Sequence, residues 1–258
     1  MNRTEPGNYV ISYLNLRRTV GFIAIMLPIV LRVGVIVVGH VLPYSVSGYY
    51  YSPMRNILVA ALCALGVFLM TYNGYGPLDS WITNIAGAAA IGVAFFPTSD
   101  PSFSPAWVSY FHVGFAAVAL SSLALMSLQF TQTEAADGDA GETWRQVIRR
   151  MGRALLFRYA DPGHTRTARK NLRDRIYSAC AWAILAGVVL ALVQNFWPAS
   201  AKNVTQWLFW FEALAIVAFG FSWLVKGQTV FADGPESRDV PCRDGDGLDH
   251  AQPEAVRA

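Results

Sequence analysis

Three ionisable side chains interrupt stretches that are otherwise almost wholly apolar: Arg32, His112 and Glu212. A charged group in hydrocarbon is costly, faces other polar groups or a water-filled space, and so marks a candidate site by default. His112 has the chemistry of a general base, with Glu212 or Arg55 to orient it or to stabilise charge. A second cluster lies between Pro43 and Arg55, where Ser45, Ser47, Gly48, Tyr49, Tyr50, Tyr51 and Ser52 give a density of hydroxyls and rings unusual for a connector. Each candidate also has a plainer reading. Arg32 and Glu212 would serve as an ion pair that fixes packing; His112 would bond a neighbouring serine or carbonyl; His40 would be a solvated interfacial residue; Arg55 would touch a lipid headgroup.

Several chemistries lack their residues. No lysine lies deep in an apolar stretch, as a retinal Schiff base requires, because Lys170, Lys202 and Lys226 all stand in or beside connectors. His40, His112, Asp100 and Glu212 have no HxxxH or HExxH spacing, so zinc ligation has little support. Two histidines are a thin basis for a haem. Walker, GxGxxG and GxSxG patterns are absent. Cys63, Cys180 and Cys242 have no CxxC spacing and imply neither disulfides nor a metal. The expectation is no cofactor and no metal.

The elements that must position these groups are six apolar runs: Thr19–Leu42, Asn56–Tyr72, Trp81–Pro97, Ala106–Phe130, Ile176–Trp197 and Trp207–Val225. Each has the length that about 30 Å of hydrocarbon demands of a helix, and their repetition excludes a lone signal peptide. Charged residues are 14% of the chain, against about 25% in soluble domains. Of 20 basic residues, 17 fall before the first run, between the fourth and fifth, or after the sixth; Arg55 and Lys202 alone fall in the opposite gaps. Basic residues stay cytoplasmic. The reading is an all-α, polytopic transmembrane bundle of six spans with both termini cytoplasmic, in the plasma (inner) membrane.

That topology divides the chain into an interfacial N-terminus (1–18), spans one to four (19–130), a cytoplasmic linker with a basic amphipathic helix (131–175), spans five and six (176–225) and a disordered tail (226–258). Asn8–Arg18 suits a short helix at the inner interface, its plainer reading being a stretch that simply leads into the membrane. Gly74-Tyr75-Gly76-Pro77 reads as a tight inner turn, and the small residues of Gly87–Ala90 with Gly92 predict a third span central in the bundle. Trp81, Trp107, Tyr177, Trp197, Trp207 and Trp223 stand at or near run ends and are expected as interfacial anchors. Arg145, Arg149, Arg150, Arg153 and Arg158 alternate with Trp144, Val147, Ile148, Met151 and Leu155, a pattern that predicts a cationic helix on anionic inner-leaflet lipid. A solvated basic loop is the alternative, and nucleic acid is not an expected partner. The two halves share no repeat of the kind an inverted-repeat transporter would carry.

At about 1.5 Å per residue, His112 and Glu212 each lie roughly 8 Å below the outer surface and Arg32 roughly 15 Å below it. All three, with His40, Asp100 and Asn56, fall in one half of the membrane beneath the Tyr49–Arg55 loop. Arg32, Tyr49, Tyr50, Arg55, His112 and Glu212 are therefore the candidate ligand-binding residues, and His112 and Glu212 the candidate catalytic ones.

The runs Leu14–Arg18, Ser47–Tyr51 through Met54-Arg55-Asn56, Gly74-Tyr75, Asn84–Gly87, Phe96–Thr98 and Phe211–Ala213 resemble those of uncharacterised bacterial six-span membrane proteins. More loosely, the chain is similar to the DUF998 and Frag1/DRAM/Sfk1 groupings. The likeness covers most of residues 14–226 apart from 131–165, and it implies fold and topology without a substrate. In the bacterial proteins an acidic residue commonly follows the Met-Arg pair, where this chain has Asn56. The function expected first is binding or sensing of a lipid or small amphiphile in an outer-leaflet polar pocket, with an intramembrane lipid-modifying enzyme second and a small-molecule or proton-coupled transporter third.

Overall fold

The computed structural model describes residues 6–72, 77–98, 105–131, 144–156, 168–195 and 206–227, and these contain seven α-helices and one 3-10 helix. The α-helices are α1 (Pro6–Val38), α2 (Arg55–Thr71), α3 (Pro77–Phe95), α4 (Ala106–Gln129), α5 (Trp144–Leu155), α6 (Ala168–Asn195) and α7 (Trp207–Lys226); the 3-10 helix is Ser47–Tyr51. Five of them, α1, α3, α4, α6 and α7, are long and apolar enough to cross a membrane, and α2 is a shorter apolar helix of 17 residues. Large apolar side chains cover the outward faces, among them Phe22, Val37, Trp81, Tyr110, Val189 and Trp210, as a surface that meets lipid requires.

The helices close a ring in the order α1, α2, α3, α4, α6, α7 and back to α1, with α7 also touching α4 across the middle. Two close crossings depend on glycine. A Cβ on Gly21 would stand 2.7 Å from the Gly220 carbonyl and the reverse is equally tight, while Gly66 and Gly87 bring α2 and α3 together in the same way. Small residues on α3 thus allow close approach, but α3 packs extensively only against α2 and α4. The expected central position belongs instead to α7.

Other expectations also change. Asn8–Arg18 does not form a separate interfacial helix but leads straight into the first span, its plainer reading, because nothing between Pro6 and Val38 breaks the hydrogen-bond ladder except the missing donor of Pro28. Tyr177 and Trp223 are core residues, not anchors. Trp223 is fully buried and edge-on to Tyr72, Phe130 and Phe219, at centroid separations of 5.0, 5.6 and 5.7 Å. Trp81, Trp107 and Trp207 are exposed as expected. Trp197, Asp100, Lys202, Arg158, the turn at residues 74–76, most of the 131–175 linker and nearly all of the tail lie outside the described residues.

α5 packs against α4 and α6 through Ala154, Leu155, Leu128 and Ala181. Its last carbonyls, which no intrahelical amide reaches, accept bonds from α6: Ser178 Oγ donates to Ala154 at 2.9 Å and Trp182 Nε1 to Leu155 at 2.8 Å. Arg149 and Arg153 are exposed, as are Ile148 and Leu156.

Candidate functional site

The end of the bundle opposite α5 is shaped by how α1 stops. Gly39, at φ +72°, accepts the left-handed conformation, and its amide bonds the Ile36 carbonyl while that of His40 bonds Val35, a paired 5→2 and 6→1 closure. The chain then turns inward. Tyr44 accepts from the otherwise free amide of Phe209 in the first turn of α7 at 2.9 Å, and Ser45 Oγ accepts from the Gly48 amide at 2.8 Å. Ser52 Oγ donates to Tyr49 and accepts from the Met54 amide. These bonds hold the 3-10 helix over the ring.

Ser47 is the residue they deliver. Its Oγ lies 3.0 Å from His112 Nε2, and its amide donates to Glu212 Oε2 at 3.1 Å, with Oγ 3.5 Å from Glu212 Oε1. The other imidazole nitrogen, His112 Nδ1, is 2.6 Å from the Phe96 carbonyl. A carbonyl only accepts, so Nδ1 carries the proton, and the neutral ring presents Nε2 as an acceptor toward Ser47. His112 therefore makes both bonds of its plainer reading, one to a serine and one to a carbonyl.

Two cavities meet at this group. The first, about 110 Å³, has Ser47, Tyr50, His112 and Glu212 at one end and apolar walls drawn from α1, α2, α3, α4 and α7. On α2 its lining runs from Leu58 to Leu69, about 16 Å at about 1.5 Å per residue, so the space is a slender slot. The second, about 90 Å³, lies between α4, α6 and α7, and adds Ser45 and Thr98 to the shared Ser47, His112 and Glu212.

Arg32 goes elsewhere. Its Nη2 donates to Gln206 Oε1, and its guanidinium lies 4.7 Å from the Phe209 ring centroid and 6.0 Å from that of Trp210. Among the described residues Glu212 bonds Ser47, and the Arg32–Glu212 ion pair is not formed. Tyr49 is fully buried against Phe209, and burial raises its phenol above the ordinary value against the opposing pull of Arg32. Neither residue lines either of these two cavities. Arg55 is exposed, stacks 4.2 Å from the Tyr50 ring centroid and donates to the Tyr50 hydroxyl at 2.6 Å, behind the slot wall. His40 is exposed and bonds Val41.

Of the six expected ligand-binding residues, then, Tyr50, His112 and Glu212 come together, and Ser47 joins them unannounced. Its only signal in the sequence is membership of a hydroxyl-rich loop. Among the described residues no three His, Cys, Asp or Glu side chains gather as a metal site. No family model, curated protein or solved structure matches this chain.

Proposed function

We propose that this chain is a six-span plasma-membrane protein, with both termini cytoplasmic, that binds a single-chain or long-tailed amphiphile from the outer leaflet. At 17 residues α2 spans about 25 Å, within the range of membrane helices, and 17 of 20 basic residues fall in the sequence before the first apolar run, between the fourth and fifth, or after the sixth. The observation that carries the function is the slot: an apolar space about 16 Å long with the Ser47 hydroxyl, the His112 imidazole, the Glu212 carboxyl and the Tyr50 ring at one end. An engineered apolar cavity of about 150 Å³ stays dry and takes benzene, so a slot of about 110 Å³ suits a thin apolar tail with its polar head at Ser47, His112 and Glu212.

At the inner face the exposed Arg149 and Arg153 on α5 favour anionic lipid headgroups. Native mass spectrometry of the purified protein tests the reading. A bound amphiphile that is lost when Ala94→Trp fills the slot supports it; a wild-type protein free of lipid in every gentle detergent sinks it.

A further inference from the structure

We infer that Ser47 and His112 are the nucleophile and base of an acyl transfer from an amphiphilic carboxylic ester whose tail occupies the slot. This deepens the binding reading and rests on it. The geometry is the argument. Ser47 Oγ sits 3.0 Å from His112 Nε2, and the far nitrogen of the ring is held by the Phe96 carbonyl at 2.6 Å. Hydroxyl, imidazole and orienting acceptor follow in the order that activates a serine, and the carbonyl selects the tautomer whose Nε2 is free to take the proton. A carbonyl supports the developing imidazolium less than a carboxylate would, so the expected chemistry is slow.

The surroundings fit an ester. Ser47 and His112 stand where the two cavities meet, so an acyl tail in the slot puts its carbonyl at Ser47 while the alcohol portion points toward the second cavity, past Ser45 and Thr98. The Ser47 amide is already given to Glu212 and cannot serve an oxyanion. Tyr50 lines the same end of the slot through its ring, with its hydroxyl held by Arg55 behind the wall, so developing charge on the carbonyl oxygen has no fixed donor there and the turnover is slow. Glu212, bonded to the Ser47 amide, is a positioning residue.

The step balances without an external oxidant or metal. Ser47 Oγ attacks the ester carbonyl carbon as its proton passes to His112 Nε2. The tetrahedral intermediate expels the alcohol, which takes that proton, and leaves an ester on Ser47. Water or a lipid hydroxyl then attacks the acyl carbon, gives its proton to Nε2, and Ser47 Oγ leaves with it.

The test uses the full chain in nanodiscs with a long-chain alkyl fluorophosphonate, read by intact mass and peptide mapping. The expected result is one adduct per chain, on Ser47, forming faster than with an ethyl fluorophosphonate. His112→Gln slows it by about 10²–10⁴-fold, the usual contribution of a general base. Wild-type mapping decides even if Ser47→Ala fails to fold. No adduct on Ser47 while the protein still carries bound lipid overturns the acyl-transfer inference and leaves binding intact; a lipid-free wild-type protein overturns the binding reading itself. An adduct on Ser47 that forms equally fast with His112→Gln overturns the role of the base.

Discussion

Gly21 of α1 and Gly220 of α7 cross so closely that a Cβ on either would lie 2.7 Å from the other's carbonyl oxygen. The crossing holds together α1, whose following loop delivers Ser47, and α7, which carries Glu212. Gly220→Val forces the helices apart, and overpacking of this kind typically costs about 1–3 kcal/mol. Thermal unfolding in detergent, followed by tryptophan fluorescence, should show a lower midpoint, whereas Gly114→Ala, with open space at its Cβ, should leave it unchanged or raise it.

Trp223 and Trp207 test core against interface within one helix. Trp223→Ala empties the cluster with Tyr72, Phe130 and Phe219 and should cost about 3–5 kcal/mol. Trp207→Ala, at an exposed position, should cost far less in the same melt. Equal losses would mean that Trp223 does not pack in the core.

Arg32 and Glu212 share no hydrogen-bond partner. Arg32→Met strands the Gln206 amide and should cost about 1–3 kcal/mol. Adding Glu212→Gln should then change stability additively within about 0.5 kcal/mol. A double variant more stable than Arg32→Met alone would reveal an ion pair across the bundle.

Topology is open to a direct measurement. In a background without native cysteines, Pro53→Cys, exposed beside the 3-10 helix, should react with an impermeant thiol reagent on intact cells. Leu156→Cys, exposed after α5, should react only after the membrane is opened. The reverse pattern would invert the proposed orientation.

For α5, each basic residue near an anionic surface contributes about 1 kcal/mol before screening. Replacing Arg149 and Arg153 together by serine should reduce co-purified anionic lipid, measured by lipid mass spectrometry, without moving the melting midpoint. An unchanged lipid content would leave α5 as a solvated connector.

What was legible from the residues alone is whatever depends on position along a helix. The run Ala106–Phe130 became α4, Ala106–Gln129, and Trp207–Val225 became α7, Trp207–Lys226, because apolar length is a local property of the chain. The same rise of about 1.5 Å per residue put His112 and Glu212 at one depth, and the structure joins them through Ser47. What needed the tertiary structure is rotation about each axis and the choice of neighbours. Trp223 and Trp207 both suit a helix end, and only the packing of α1, α4 and α6 around α7 decides which is core. The sequence predicts similar depths for Arg32 and Glu212, yet the turn of their helices gives one to Gln206 and the other to Ser47. Ser47 is one of several hydroxyls in its loop, and nothing in its own neighbourhood of sequence distinguishes it. The bonds that select it come from α4 and α7, 65 and 165 residues away, where helix azimuth is settled collectively by the packed bundle and not by any one segment.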